Sequence, residues 1–558
     1  MEYNRVVLVQ PPIQDFYLTK KRTIPYGLAS IASHLIDNHF DVTIIDGLAT
    51  PKSRTMDYPL PFSHVKPFFE KKDLSAFSLF HEFRHFGYSY EHLGNLVRQQ
   101  APAVVGISSL FTAYADQAME TAQTIKRFHP CCRIVMGGHH PTVFPKETLE
   151  SPAVDFVLRG EGEFSMTALC NALKGEKDLK KVAGLCFKDG GAVHISDPVW
   201  VADLSTLPVP ASHLVNHTFY SRNKRASVSV VCSRGCPMNC SYCSVSATSS
   251  HGRYRQRPVE AVAAEIQTLV REKAVGFIDF EDENLCLDKA WFHSFFDRLT
   301  PVLKGKNIEL RAMNGLYPPS IDEPVIQTMK ASGFKTLNLA LGSTDPAQLN
   351  RFKRKNVISA FENALKLARK YDLDAVSYII GAAPGQSATQ SLNDLLYLAQ
   401  KRTLIGFSVF YPAPGSLDYQ RCADQGLLPD RFNQMRSTAF PIDDTTTRIE
   451  AVTLLRLARI INFIKSLIDS KEEIPAPRPF PGDRKGVVKN FSGLVKDRRD
   501  QSKQLLQWFL HDGVIRGVGP GGTVYDHTVD FRLTQRFLHA LSHCRIAGIK
   551  HPGKPADG

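Results

Sequence analysis

The sequence contains no run of about 18 apolar residues, the length that a membrane-spanning helix needs. Its first apolar stretch, 6–9, is too short for a secretion signal and has no small-residue cleavage site after it. Internal repeats are also missing, and 43% hydrophobic with 22% charged residues excludes a disordered or collagen-like class. We therefore expect a cytoplasmic globular protein, and its 558 residues predict two or three domains.

The eleven cysteines do not predict a disulfide framework, because a large chain without a secretion signal is expected to stay in a reducing compartment. Seven are scattered and are expected to be mostly small core residues: Cys131, Cys132, Cys170, Cys186, Cys286, Cys422 and Cys544. The other four lie close together: Cys232, Cys236, Cys240 and Cys243. Clustered cysteines in such a compartment indicate metal binding or catalysis.

The net charge of +13 permits an anionic partner, whether nucleic acid, lipid or an anionic cofactor. The basic residues are spread along the chain, which favours a solvated surface, and we do not expect nucleic acid. A Lys/Arg-rich stretch at 484–503 could touch an anionic lipid, but solvent exposure is the favoured interpretation there too.

Strand-like and helix-like segments alternate in the N-terminal part. Two helices are predicted, at 26–38 from the helical period of its apolar residues and at about 113–128. The strand-like segments around them lie at 5–10, 41–46, 104–109, 133–138 and 155–159. This alternation predicts a Rossmann-like parallel sheet with ligands at the carboxyl ends of its strands. A hairpin is expected at 184–195, and the domain is placed at 1–205, followed by a linker at 206–225.

A second alternating run occupies 226–435. Helix-like segments separate six strand-like segments at 226–231, 276–280, 308–312, 336–341, 375–380 and 406–411. Six βα units predict a (β/α)6 partial TIM barrel, so the fold class is α/β. An aromatic-rich insertion at about 50–95 and a mainly helical region at 436–558, with one long helix at 449–468, have no assigned function.

The spacing of Cys236, Cys240 and Cys243 is C-x3-C-x2-C, which places three thiolates on one tight loop. Three thiolates can bind three corners of a [4Fe–4S] cubane and leave one iron open. Zinc is the alternative, with Cys232 as a fourth ligand. The position of the loop after the first strand of a barrel favours the cluster, because catalytic loops lie there.

With Tyr242 before the last cysteine, this motif resembles the signature of radical S-adenosylmethionine (SAM) enzymes, and the resemblance extends over about 225–425. It implies that the cluster reductively cleaves SAM to methionine and a 5′-deoxyadenosyl radical. It also implies SAM-binding residues at strand ends: Asp282, Glu283, Ser343, Gly381 and Tyr411. The chain departs from the family at Gly342, where Glu is usual, and at Gln386, which also replaces Glu.

The N-terminal domain resembles the cobalamin-binding domain fused to many radical SAM enzymes. The resemblance rests on Pro12, Tyr26, Gly27, Ser108, Ser109, Gly137, Gly138, Gly160, Glu161 and Gly162, which are the implied cofactor-binding residues. The classical Asp-x-His-x-x-Gly motif after the first strand is absent. We therefore expect cobalamin without a histidine ligand from that motif; His139 and His140 could face the cofactor or be ordinary loop residues.

Methyl transfer to an unactivated carbon is the first expectation, with oxidative cyclisation or rearrangement as the alternative. Other hypotheses are a non-catalytic iron–sulfur sensor and an N-terminal domain that binds nothing. The expected partners are a small-molecule or lipid-like substrate and a reducing protein such as flavodoxin or ferredoxin, working anaerobically. The sequence assigns no individual catalytic residue and does not identify the substrate.

Overall fold

The computed structural model describes residues 4–19, 23–175, 178–248, 253–481 and 497–550. Within these ranges no helix is both long and apolar enough to cross a membrane. All eleven cysteines are free thiols, as expected for a protein without a disulfide framework. Most of the basic stretch at 484–503 lies outside the described residues.

The strands described in the N-terminal part are β1 Arg5–Gln10, β2 Ile13–Asp15, β3 Asp41–Asp46, β4 Ser53–Met56, β5 Phe83–Phe86, β6 Val104–Ser108, β7 Arg133–Gly137, β8 Phe156–Leu158, β9 Leu185–Asp189 and β10 Ala192–His194. Seven of them form one sheet in the order β10-β9-β8-β7-β6-β1-β3. The β3, β1, β6, β7 and β8 strands are parallel, and β9–β10 is an antiparallel hairpin. The predicted parallel sheet and hairpin are confirmed.

Helices cover both faces of this sheet. The helices of this part are α1 Tyr26–Asp37, α2 Lys66–Phe69, α3 Tyr90–Gln100, α4 Ala115–Phe128, α5 His139–Val143, α6 Pro145–Glu150 and α7 Gly162–Leu173. Of these, α2 lies in the aromatic insertion and not on the sheet. The α1 helix buries Leu28, Ala32 and Leu35 along one stripe, as its period predicts. It packs beside α7 on one face, whereas α3 and α4 pack together on the other.

The aromatic insertion folds as a separate layer. Strands β2, β5 and β4 form a small antiparallel sheet, and the aromatic rings of Phe16, Phe62, Phe69 and Phe83 are buried beside it. Phe440, from the C-terminal region, packs in the same cluster. The insertion therefore packs the N-terminal part of the chain against the C-terminal region.

The second α/β part contains β11 Ser221–Arg222, β12 Arg225–Val230, β13 Ser233–Arg234, β14 Arg255–Gln256, β15 Val275–Phe280, β16 Glu309–Arg311, β17 Thr336–Gly342, β18 Asp374–Gly381 and β19 Leu404–Val409. The six predicted strands are β12, β15, β16, β17, β18 and β19. They form two parallel ladders of three, joined by the single bridges Leu310–Phe334 and Leu316–Leu339. The order of βα units agrees with the prediction, although one continuous ladder is not formed.

The helices of this part are α8 Val245–Thr248, α9 Val259–Glu272, α10 Lys289–Leu303, α11 Glu323–Ser332, α12 Pro346–Arg351, α13 Ile358–Lys370, α14 Ala388–Ala399 and α15 Leu417–Asp424. The C-terminal region has α16 Arg448–Asp469, α17 Arg498–Asp512, β20 Arg516–Val518, β21 Val524–Asp526 and α18 Phe531–Ser542. Leu454, Leu457, Phe509 and Phe537 share one apolar core with the preceding strands. The boundaries at 205, 225 and 435 stay predictions.

Candidate active site

The three spaced cysteines lie on a loop after β12, which we call the cysteine loop (residues 231–243). Cys236, Cys240 and Cys243 are half-buried. Burial raises the pKa of Cys236, and it raises the pKa of Cys243 to about 11. The thiols of Cys236 and Cys243 therefore hold their protons at neutral pH, and metal binding must displace these protons.

No three His, Cys, Asp or Glu side chains among the described residues converge on a point that could hold a single metal ion. Three thiolates on one loop suit a cubane, in which each thiolate binds a different iron.

Cys232 stands apart from the other three cysteines. It is fully buried, and burial together with the neighbouring Asp282 carboxylate raises the pKa of its thiol. Asp282 accepts hydrogen bonds from the backbone N–H groups of Cys232 at 3.1 Å and Ser233 at 2.6 Å, and from the Ser233 hydroxyl at 2.6 Å. Asp282, predicted as a SAM contact, therefore anchors the start of the cysteine loop.

Glu283, just after the end of β15, is half-buried beside the cysteine loop. Burial raises its pKa to about 7, and the neighbouring charge of Asp282 adds to this. Glu283 in turn raises the pKa of both Cys236 and Cys243. A carboxyl of this kind would gain most from a cationic partner, because a nearby positive charge favours its ionised form.

Arg354 is a residue that the sequence analysis missed. Its guanidinium donates to the Tyr242 hydroxyl at 3.0 Å and lies 3.9 Å from the Cys240 sulfur. It forms no ion pair with a carboxylate among the described residues, and its Nε has no partner. A largely buried cation beside a cysteine calls for an anion, and three bound thiolates would supply one.

The remaining predicted SAM residues lie at the ends of β17, β18 and β19. The Ser343 hydroxyl is fully buried and donates to Asp394 at 2.8 Å. Gly381 lies so close to the Phe407 ring that an added Cβ would come within 2.5 Å of it. Tyr411 is 37% exposed, and burial raises its pKa with smaller contributions from Cys243 and Tyr17.

Of the groups that act electrostatically on Tyr411, Tyr17 follows β2 in the N-terminal part and Cys243 belongs to the cysteine loop. Tyr17 is 50% exposed and stacks on Phe80 with ring centroids 5.2 Å apart. Phe80 comes from the aromatic insertion, so that layer contacts Tyr17. The SAM-binding roles of the predicted residues remain predictions.

In the N-terminal part, Ser109 and Gly138 follow the ends of β6 and β7. The backbone N–H of Ser109 donates a hydrogen bond to the Gly137 carbonyl, while the buried Ser109 hydroxyl has no partner. Gly138 has φ +116°, and an added Cβ would come within 2.6 Å of the Ser109 carbonyl oxygen. Next to them, Leu110 and Phe111 are 45% and 53% exposed. A free hydroxyl beside exposed apolar groups suits a large, partly apolar ligand.

The two histidines after Gly138 differ. His140 is buried, and its ring lies against Phe144 and Phe432. The His139 side chain is exposed, yet the surrounding protein desolvates it and lowers its pKa to about 4. His139 is therefore a neutral imidazole at physiological pH.

Glu161 and its neighbour Glu163 connect the two parts of the chain. Arg255 donates to both carboxylate oxygens of Glu161 at 2.8 Å, and Arg234 donates to Glu163 at 2.6 Å. Arg234 lies two residues before Cys236. The predicted cofactor contact Glu161 is thus engaged in an ion-pair network that supports the cysteine loop.

Tyr26 makes a similar connection, because its hydroxyl accepts from Arg257 at 2.9 Å while Arg257 pairs with Glu265 at 2.7 Å. Of the other predicted residues, Pro12 is buried, Ser108 and Gly137 are half-buried, and Gly27 is exposed. Gly160 has φ +88° and packs against the backbone of Val199, which requires glycine. Gly162 begins α7, and its missing side chain lets Ile31 approach.

Comparison with known proteins agrees with this geometry. The model of the Radical SAM superfamily matches residues 230–394, and the model of the B12 binding domain matches residues 58–170. An uncharacterised methyltransferase of Pyrococcus horikoshii is 28% identical over 437 residues, covering 77% of this chain and 85% of that protein. An anaerobic magnesium-protoporphyrin IX monomethyl ester cyclase of Synechocystis is 24% identical, covering 66% of this chain and 67% of that protein.

The fold is similar to that of TsrM from Kitasatospora setae, a radical SAM methyltransferase solved with cobalamin and a [4Fe–4S] cluster bound. The TM-score is 0.57 at 16% sequence identity, and the match covers 76% of this chain and 75% of that one. At this identity the likeness shows the fold alone.

Proposed function

Because the chain belongs to the radical SAM superfamily and carries a B12 binding domain ahead of its radical SAM domain, we propose that it is a cobalamin-dependent methyltransferase. It transfers a methyl group derived from SAM to an unactivated carbon of a small-molecule or lipid-like substrate. The observation that carries this proposal is the 2.6 Å ion pair between Arg234, two residues before Cys236, and Glu163, which lies just beyond the end of β8 in the N-terminal part.

When bound, the [4Fe–4S] cluster supplies the electron that cleaves SAM, and cobalamin carries the methyl group. Cys236, Cys240 and Cys243 hold the cluster. Asp282 fixes the backbone at the start of the cysteine loop, and Arg354 places a positive charge beside Cys240. These fixed groups pre-organise the loop before any cofactor binds.

Glu283 is the residue best suited to the amino group of SAM. Burial raises its pKa to about 7 although the charges of Arg234 and Arg255 lower it, so Glu283 is only partly ionised at neutral pH. An ammonium group would favour the carboxylate and so gain a charge-assisted hydrogen bond. Asp282 is already occupied by its hydrogen bonds to the cysteine loop, which favours Glu283 for this role.

Ser109, with Gly137 and Gly138, would hold the cobalamin tail at the carboxyl edge of the N-terminal sheet. The unpartnered Ser109 hydroxyl supplies a hydrogen-bonding group there, and the absent side chain of Gly138 leaves room for the Ser109 backbone that carries it. Tyr17 and Phe80 stack on each other with Tyr17 half exposed, and such apolar ring faces suit a lipid-like or aromatic substrate.

Isotope transfer tests the reaction. Anaerobically reduced protein, given SAM with a labelled methyl group and a candidate substrate, is expected to yield 5′-deoxyadenosine and a product that carries the label. Glu283→Gln should weaken SAM binding by roughly tenfold, about 1.4 kcal/mol, for one charge-assisted bond, and the cluster should remain. The conservative substitution Glu260→Gln, on helix α9, is the matched control.

The similarity to the cyclase of Synechocystis makes oxidative cyclisation the second candidate function. In that case 5′-deoxyadenosine forms but the label stays out of the product. An intact cluster with neither SAM binding nor SAM cleavage would refute both enzymatic proposals and favour a sensor.

Cobalamin ligation gives an independent prediction. Since the first strand is followed by no histidine motif, we expect one cobalamin bound base-off, without a histidine from that motif. The exposed, neutral His139 is the histidine to test, because neutral imidazole is a good metal ligand. Electron paramagnetic resonance of the Co(II) state should show no nitrogen splitting from protein, and His139→Ala should leave the spectrum unchanged.

Nitrogen splitting that disappears in His139→Ala would contradict this ligation. Ser109→Ala should weaken cobalamin retention, whereas Ser151→Ala, at the end of α6, should not. Failure of the native protein to retain any cobalamin after reconstitution would remove the methyltransferase proposal.

A further inference from the structure

A basic surface lies directly behind the cysteine loop. The chain between α12 and α13 reads Arg351-Phe-Lys353-Arg354-Lys355. Lys353 and Lys355 are exposed, and neither forms an ion pair among the described residues. We call Arg351, Lys353, Lys355 and the neighbouring Arg421 the basic rim.

The basic rim is joined to the cysteine loop by short hydrogen bonds. Ser241, between Cys240 and Cys243, donates its backbone N–H to the Phe352 carbonyl at 2.9 Å, and its hydroxyl lies 3.0 Å from the Arg351 carbonyl. The Ser241 carbonyl accepts from the backbone N–H of Asp418. The rim is therefore held at a fixed position relative to the cysteines.

An aromatic pair spans the distance between rim and cysteines. The Phe352 ring packs edge-on against Tyr242, with ring centroids 4.8 Å apart. Phe352 also lines a surface cavity of about 560 Å³, together with Arg351 and Arg421. The cavity thus brings the solvent-facing side of the protein close to the residues that flank the cluster.

The charge of this face is positive. Arg351 is bound to the neutral amide oxygen of Gln348, and Arg421 pairs with Asp418 at 2.8 Å. The cavity's other carboxylate is Asp444. The basic rim therefore carries four cations beside three carboxylates, Asp418, Asp444 and Asp345, the last of which interacts with Arg351. Lys353 and Lys355 form no ion pair among the described residues.

We propose that the basic rim docks a small acidic electron-carrier protein, which reduces the cluster through this face. The inference rests on the proposed function, because only a cluster on the cysteine loop needs an electron there. One electron leaves the reduced carrier, which is oxidised, and enters the cluster, which is reduced. No covalent bond forms or breaks. Opposite charges steer such an encounter and raise its rate, most strongly at low salt.

Stopped-flow reduction of the reconstituted full chain tests the proposal. The visible absorbance of the oxidised cluster is followed as it bleaches, with hydroquinone flavodoxin, reduced ferredoxin or dithionite as the reductant. For K353E/K355E we expect the second-order rate with the proteins to fall about tenfold or more at low ionic strength. Dithionite, which needs no docking, should reduce the variant at the native rate.

The matched control is K366E/R369E, which makes the same charge change at exposed positions of α13. It should keep the native rate with both carriers, since global charge alone does not dock a partner. The neutral pair K353Q/K355Q should lie between the native protein and K353E/K355E. The rate of reduction by the carrier proteins should depend less on salt concentration in both rim variants than in the native protein.

Native rates for K353E/K355E with both carriers, or equal losses in K366E/R369E, would overturn the docking proposal. If K353E/K355E is also slow with dithionite, the neutral pair decides: a loss confined to the protein reductants supports docking, and no such loss overturns it. Failure of the native chain to be reduced by dithionite, or to cleave SAM, would instead contradict the proposed function.

Discussion

Replacement of Cys236, Cys240 or Cys243 by alanine is expected to abolish the [4Fe–4S] cluster, and with it all SAM cleavage. Each thiolate holds a different iron, so no residue nearby can replace a missing one. Cys232 is the internal control. Its thiol is fully buried and interacts with the Asp282 carboxylate, so Cys232→Ala should retain the cluster.

The measurement is iron and sulfide content per chain after anaerobic reconstitution, together with the paramagnetic resonance signal of the reduced cluster. Cys286→Ala, another fully buried thiol, controls for the loss of a core sulfur. Zinc without iron in anaerobically purified native protein would show that the site is not a cluster. The ligand assignment would be contradicted if Cys232→Ala lost its iron while the alanine variant of Cys236, Cys240 or Cys243 kept it.

Replacement of Arg234 by alanine is expected to destabilise the junction of the two parts strongly. Its side chain is 17% exposed and its partner Glu163 is 4% exposed, so the substitution leaves a buried carboxylate uncompensated. Breaking such a pair costs about 3–5 kcal/mol. Cluster content should fall as well, because Arg234 lies two residues before Cys236.

The loss of stability is measured as the change in the free energy of unfolding in denaturant, taken from the first transition because a chain of several domains can unfold in steps. The exposed pair Arg5–Asp41 is the control, and Arg5→Ala should cost no more than about 1 kcal/mol. The double substitution Glu163→Gln with Arg234→Met removes both charges and should recover part of the stability. Equal losses in the Arg234 and Arg5 variants would contradict the proposed role of the pair.

The same pair predicts a pH dependence. Burial alone would raise the pKa of Glu163, but the charge of Arg234 and its hydrogen bonds hold that pKa below the ordinary carboxyl value. The pair's contribution is therefore complete above the unfolded pKa and is lost as pH falls through the lowered folded pKa. Native protein should lose this contribution on acidification, and the double variant should not.

Much of the fold followed from the sequence because local patterns encode it. The buried stripe of α1 and the run of apolar residues in β1 have the periods of a helix and a buried strand, whatever surrounds them. The long helix α16, Arg448–Asp469, was predicted within one residue at each end for the same reason. The β20–β21 hairpin was not predicted, because its three-residue strands are too short to show a period.

The roles of single site residues depended on distant parts of the chain. Asp282 and Glu283 are adjacent and chemically alike, yet one is occupied by the cysteine loop and the other stays available. Glu161 follows a glycine at a strand end, as a cofactor contact would, but a pair of hydrogen bonds from Arg255 engages its carboxylate. No sequence signal marks these partners, which lie about fifty to ninety residues away.

The sequence by itself determined the alternation of strands and helices and the three cysteines at fixed spacing, because both are written within a few neighbouring residues. The tertiary structure alone decided that Cys232 faces Asp282, that Arg354 lies beside Cys240, and that Arg234 holds Glu163. Those contacts arise when separate strand ends meet at one edge, and their energies come from burial and charge pairing that exist only in the folded chain.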